Sequence, residues 1–205
     1  TRGPLNLCVT ALGEVPAGKA LRRDGARLGD DLWISGQPGL AALGLAQLQN
    51  KTGLPEPLKT RCITALQRPL PRVELGQALQ DRALANSAID VSDGLLADLG
   101  HLAERSGVTA EVFSPQLPRL PGGVETALAR QAQLAGGDDY ELTFSAAPDK
   151  RSAIAELAAE LDLPLWRIGQ ISEGKESSNG TVRLLDENGH DTPLTYKGFD
   201  HFGHG

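Results

Sequence analysis

Ile89-Asp90-Val91-Ser92-Asp93-Gly94-Leu95 joins an apolar strand to an amphipathic helix. The strand reads over residues 87–91. The helix runs from Gly94 to about Arg105, with Leu95, Leu99 and Leu102 on one face. The junction carries two carboxylates, Asp90 and Asp93, with the Ser92 hydroxyl between them. A helix N-terminus has unpaired N–H groups and the positive end of the helix dipole, both of which favour phosphate. Paired Asp side chains supply the hard oxygens that magnesium takes alongside substrate phosphates. Without a cation, two neighbouring carboxylates repel and one is pushed toward its protonated form. Ser92 or Asp93 also reads as a helix N-cap. Asp90 is harder to explain as structure, because it follows Ile89 in an apolar strand.

Outward from this junction, strands alternate with helices. Towards the N-terminus, strands are expected over 5–12 and 31–35, and helices over 40–49, 58–67 and 73–85. Pro69-Leu70-Pro71 forbids one continuous helix through the last two. Towards the C-terminus, strands read at 108–113, 140–145 and 165–171, and helices at 124–133 and 147–161. A hairpin is expected from 181–185 and 193–196, turned near Glu187-Asn188-Gly189. The alternation makes this an α/β chain.

Three further stretches carry candidate chemistry. Gly136-Gly137-Asp138-Asp139-Tyr140-Glu141-Leu142 clusters acidic residues after a diglycine, at the start of a strand that such residues disfavour. It also reads as a turn before an edge strand with its charges in water. Arg22, Arg23 and Arg27 stand among glycines and could hold phosphate oxygens, or form a solvated turn in which Asp30-Asp31 takes part. In the tail, Lys197-Gly198-Phe199-Asp200-His201-Phe202 offers aromatic surface for a ring-bearing ligand or for docking the chain end. The Ser-elbow, P-loop and Gly-x-Gly-x-x-Gly patterns are absent from the sequence.

Composition narrows the classes. The chain has 205 residues, 20 Lys and Arg against 26 Asp and Glu, and a net charge of −6. That acidic balance argues against a general nucleic-acid binder. No apolar run approaches the ~20 residues that span a bilayer, and no signal-peptide pattern is visible, so no membrane partner is expected. Cys8 and Cys62 lie in unrelated contexts, outside any Cys-x-x-Cys pair. They read as reduced thiols of a cytoplasmic protein. The chain opens at Thr1 and contains 0 Met, which raises the expectation of a fragment.

Taken in order, the motifs resemble the thiamine-monophosphate kinase family. They are Arg23-Asp24-Gly25-Ala26-Arg27-Leu28-Gly29-Asp30 ahead of Ser35-Gly36, then Pro71-Arg72-Val73, then Ile89–Leu95 with Asp98-Leu99 and His101. Gly136–Leu142 and Lys197–Phe202 complete the set. The combination differs from that of relatives in the aminoimidazole-ribonucleotide-synthetase-like (AIR-synthetase-like) superfamily, such as selenophosphate synthetase and a hydrogenase-maturation protein. The resemblance implies a mixed sheet flanked by helices, the C-terminal α/β domain of the AIR-synthetase-like fold, over 20–205. Residues 1–19 would be the last strand and linker of an otherwise absent N-terminal ATP-binding domain.

The resemblance further implies ATP-dependent phosphorylation of thiamine monophosphate to thiamine diphosphate, with Mg2+ and a homodimer. Asp90 and Asp93 would be magnesium ligands, Ser92 an ATP contact, and Arg23 a partner of the ATP phosphates. Glu141 and Asp139 would lie at the thiamine-phosphate site, and Phe199 would stack on a substrate ring. Family members dimerise mainly through the domain not seen here, so the homodimer is expected of the full-length protein, and without the ATP-binding domain this chain alone is expected to be inactive. The rival expectations are another ATP-dependent enzyme of the superfamily and a non-catalytic binding or dimerisation module.

Overall fold

The structure, a computed structural model, describes residues 7–120, 122–173 and 180–194. The strands are β1 (Asp31–Ser35), β2 (Ser87–Asp90), β3 (Thr109–Phe113), β4 (Leu142–Ala146), β5 (Leu165–Ser172), β6 (Thr181–Leu185) and β7 (Asp191–Thr192). The helices are α1 (Leu40–Leu48), α2 (Leu58–Gln67), α3 (Val73–Asp81), α4 (Leu95–Ser106), α5 (Thr126–Ala135) and α6 (Arg151–Glu160). The strands form one sheet in the order β2-β4-β1-β5-β3-β6-β7. β3 and β6 run parallel and the other neighbours antiparallel, so the sheet is mixed, as expected.

Period-two alternation divides the core. On β1, Leu32 and Ile34 join the apolar stripe of α4, where Leu95, Leu99 and Leu102 are fully buried. Trp33, between them, joins the opposite layer with Phe144 of β4, Leu75 and Leu79 of α3, and Ile154 and Leu157 of α6. A third cluster holds α1 to α2 through Leu43, Leu58 and Cys62. Cys62 is buried, which pushes its thiol up to about 11, while Cys8 is exposed; both are free thiols. Among the described residues, no helix is long and apolar enough to cross a membrane.

The structure corrects several local expectations. Residues 7–12 form no strand, and Leu7, Val9 and Leu12 stand exposed. A strand needs a ladder partner for its N–H and C=O groups, and none of the described strands supplies one. β4 lies between β2 and β1 rather than at an edge. It begins at Leu142 because Asp138 and Tyr140 adopt φ of 65° and 51°. α3 stops at Asp81, and Ala83 then turns left-handed at φ 50°. The final hairpin pairs at Asp191–Thr192 rather than at 193–196, of which 195 and 196 lie outside the described residues.

Asp30 and Asp31 are not solvated turn residues; both are 3% exposed. Asp30 accepts from the Arg27 amide, Asn86 Nδ2 and Ser145 Oγ. Asp31 takes a bidentate fork from Arg151 and a further bond from Arg167. Burial alone would raise the Asp31 carboxyl, but the two guanidinium groups outweigh it and hold it below its usual range.

Phe144 is fully buried and stacks on Trp33 with ring centroids 6.3 Å apart. Phe144→Ala should therefore destabilise the protein by about 3–5 kcal/mol in urea unfolding. A loss below about 1 kcal/mol would contradict a close-packed layer beneath α3 and α6.

Candidate functional site

The carboxyl ends of β1 and β2 and the start of β4 meet at one end of the sheet. Beyond the ladder, three backbone bonds extend this meeting. Val91 N donates to Glu141 O at 2.8 Å, Tyr140 N to Val91 O at 2.9 Å and Asp138 N to Ser92 O at 2.9 Å. The two acidic motifs therefore lie side by side. Gly137 permits the approach, since a Cβ there would lie 2.3 Å from Ser92 O.

The loop after β2 is shaped from within α4. Asp98, in the first turn of that helix, is 3% exposed. Its Oδ2 accepts from the amides of Ser92 and Asp93, each at 3.0 Å. The N-cap position is Gly94, so neither Ser92 nor Asp93 occupies it. Burial pushes the Asp98 carboxyl up; the two amides oppose this, and the nearby Asp93 and Asp90 add to it.

Asp90 is half-exposed, with Arg23 Nη2 3.9 Å from its Oδ1. An ion pair this open contributes little to stability. Tyr140 has a raised phenol, first through burial and then through Asp138, with Asp90 and Asp93 adding to the effect. Asp90, Asp93, Asp138 and Tyr140 thus share one electrostatic neighbourhood. Among the described residues, no group of three or more His, Cys, Asp or Glu could hold a metal ion.

The alternate residues of the same segment serve a different place. Asp139 Oδ2 accepts from Gly39 N at 2.6 Å and Oδ1 from Ala41 N at 3.1 Å. A distant side chain thus does the N-capping work that α1 lacks locally, its cap position being Gly39. Burial, opposed by these two amides, pushes the Asp139 carboxyl up to about 7. Glu141 accepts from Ser35 Oγ at 2.5 Å and takes a fork from Arg72, with Nε to Oε2 at 2.6 Å and Nη2 to Oε1 at 2.5 Å. Ser35 Oγ in turn accepts from the Leu142 amide.

Asp139 and Glu141 open onto a cleft of ≈ 700 Å³ whose walls include Gln37, Arg61, Arg68, Arg72 and Trp166. Arg61 is held to Gln37 Oε1 at 2.7 Å. Trp166 donates from its indole N–H to Gly36 O at 2.9 Å yet remains 42% exposed. The structure thus separates the sequence-derived residues into two neighbouring groups. Asp90, Asp93 and Arg23 stand at the acidic loop, with Ser92 held there by its backbone, and Asp139 and Glu141 line the cleft. Phe199 lies outside the described residues.

Sequence reasoning missed Trp166, and it placed Ser35 and Arg72 in the family motifs without giving them a role beside Glu141. Alternation groups Trp166 with Ile168, which is fully buried, and only its place at the mouth of the sheet exposes it. Arg72 and Ser35 lie 69 and 106 residues from Glu141, beyond any local pattern.

Residues 27–179 match the family model for the AIR synthase related protein, C-terminal domain. The thiamine-monophosphate kinase of Salmonella typhimurium is 39% identical over 98% of this chain and 61% of its own length. The chain thus spans less than two thirds of that curated relative. The crystal structure of thiamine-monophosphate kinase from Stenotrophomonas maltophilia superposes with a TM-score of 0.75 at 44% identity. That match covers 87% of this chain and 56% of the other. AaThiL complexed with AMPPCP and TMP gives 0.69 at 32% identity, covering 89% and 54%.

Asp139 gives the site a pH signature. Its folded-state pKa of about 7 lies above the ordinary carboxylate value. Between roughly pH 4 and 7 the folded state therefore binds the extra proton, and this residue's contribution to stability falls as pH rises through that window. Above it the contribution is flat. Urea unfolding at pH 5 and pH 8 should show that fall in the parent chain and lose it in Asp139→Asn. An unchanged pH slope in the variant would remove Asp139 as its source.

Proposed function

The chain belongs to the family of the AIR synthase related protein C-terminal domain, and from that premise we propose that it forms the acceptor-binding part of a thiamine-monophosphate kinase. The reaction passes the γ-phosphoryl group of ATP to a phosphate oxygen of thiamine monophosphate. The bond to the β–γ bridging oxygen breaks, and ADP and thiamine diphosphate leave. What carries this reading is the similarity to thiamine-monophosphate kinases along nearly the whole chain. The solved relative that binds AMPPCP and TMP supports both ligands for this chain.

The residues take roles that their surroundings suit. Arg23 and Ser92 lie at the acidic loop and would meet the ATP phosphates there. Asp90 and Asp93 would hold magnesium, their oxygen donors being the kind that ion prefers. Two carboxylates are an ordinary protein share for it, the remaining positions going to phosphate oxygens and water. Bound magnesium neutralises charge that builds on the transferred group. Asp98 acts one step back by fixing the amides of Ser92 and Asp93.

Glu141 and Asp139 stand at the acceptor cleft, and Phe199 would stack on a substrate ring. We assign residues 1–19 to the last strand and linker of an ATP-binding domain, and the assembly to a cytoplasmic homodimer. Leu7 and Val9, exposed and two residues apart, support a strand that pairs outside this domain.

The test is formation of thiamine diphosphate by the intact protein from ATP, magnesium and thiamine monophosphate, followed by chromatography. Asp90→Asn should cut turnover by about 100-fold or more while leaving the melting temperature unchanged. Full turnover by that variant at saturating magnesium would make Asp90 a structural residue only.

A further inference from the structure

Trp166 combines three properties that a merely structural tryptophan does not need. It is large and 42% exposed, at the mouth of the cleft that holds Arg72 and Glu141. Its ring is immobilised, because the indole N–H is bonded to Gly36 O. The segments around that bond are themselves fixed. Gly36 N donates to Pro164 O, and Trp166 is registered opposite Ile34 in the β1–β5 ladder. A flat apolar surface whose orientation is already set offers a ring contact with little entropy left to lose on binding.

The polar groups of the cleft are arranged around that surface. Arg72 is matched by Glu141, so this pair presents little net charge. Arg61 and Arg68, on and just after α2, also line the cleft, with Arg61 held by the neutral Gln37 amide. The cleft therefore combines an aromatic face with guanidinium groups. That fits a ligand with a flat ring at one end and an anionic group at the other.

We infer that Trp166 is the ring-binding, specificity-determining residue of the acceptor cleft, a role that rests on the thiamine-monophosphate reading of the site. Its indole face receives a heteroaromatic ring of the acceptor, and a positively charged thiazolium gains further from the electron-rich π system. Gly36 is the positioning element. It supplies the carbonyl that anchors the indole, and its φ of +59° places that backbone where a Cβ would strike Glu141.

The protein carries its own probe, since it has 2 Trp and the other, Trp33, is buried in the layer beneath α3 and α6. Thiamine monophosphate added to the whole chain should quench emission. The quench should survive in Trp33→Phe and vanish in Trp166→Phe. By calorimetry, Trp166→Ala should weaken thiamine monophosphate about 10-fold or more, and Trp166→Phe less than about 3-fold. Calorimetric binding that is the same in Trp166→Ala as in the parent would overturn the role of Trp166 and leave the functional reading standing. Adenosine monophosphate serves as the control ring. Trp166-dependent binding of that ligand, with none of thiamine monophosphate, would uphold the ring surface and overturn the functional reading. Binding of neither ligand would overturn both.

Discussion

Three backbone hydrogen bonds between Asp138–Glu141 and Val91–Ser92 govern the arrangement of everything around them. They continue the β2–β4 ladder past its formal end and bring two acidic loops to van der Waals distance. Gly137 is the condition for this, because any side chain there would meet the Ser92 carbonyl. Once the segment is pinned, its residues divide between two places. Asp138 and Tyr140 join Asp90 and Asp93 at the acidic loop, while Asp139 and Glu141 reach into the cleft. One short stretch of chain thereby fixes the distance between the two groups. Under the proposed function, two sites that exchange a phosphoryl group need such a fixed spacing, since positioning supplies much of the rate in that chemistry.

The alternating and helical periods in the sequence were sufficient for the layers. Leu32-Trp33-Ile34 splits between two cores as a half-buried strand should, and the Leu95-Leu99-Leu102 stripe faces the sheet. Local reading failed where a side chain's partner is remote. Asp30 and Asp31 look like turn residues until Asn86, Ser145, Arg151 and Arg167 arrive from elsewhere in the chain. Asp93 has the type and position of an N-cap, yet Asp98 takes its amide from inside the helix. Asp139 does cap a helix, but through the amide of Ala41, 98 residues earlier in the chain. The acidic motifs were legible as a site because carboxylates crowd there against strand propensity. Trp166 was not, because a pattern cannot distinguish a buried aromatic from one at the open end of a strand.

The net charge of −6 conceals a polarised distribution. Carboxylates gather at the loop after β2, and guanidinium groups gather in the cleft beside it. A uniformly acidic surface would repel phosphorylated ligands. Here the acidic patch suits a cation that travels with phosphate, and the cationic wall suits an anion directly. The two fields lie on either side of the Asp138–Glu141 segment, so a ligand bound across it would meet both.

Glu141 shows how far such a group is already committed. A carboxylate offers about four acceptor positions, two on each oxygen. Oε2 takes the Ser35 hydroxyl and Arg72 Nε, which fills it, while Oε1 takes only Arg72 Nη2. These bonds therefore leave one acceptor position unused, on Oε1. That atom faces Gly36, where a Cβ would sit 2.0 Å away. The same glycine leaves room for the Glu141 carboxylate and carries the carbonyl that anchors Trp166. Ring surface and carboxylate are thus tied to one backbone residue, so a substitution at Gly36 disturbs both at once. Removing Glu141 is a different kind of perturbation. It strands Arg72, 20% exposed at its side chain, without its counter-charge, and the cost of that orphaned cation mixes with any lost ligand contact. Trp166, with a single hydrogen bond to release, is the cleaner place to interrogate the cleft.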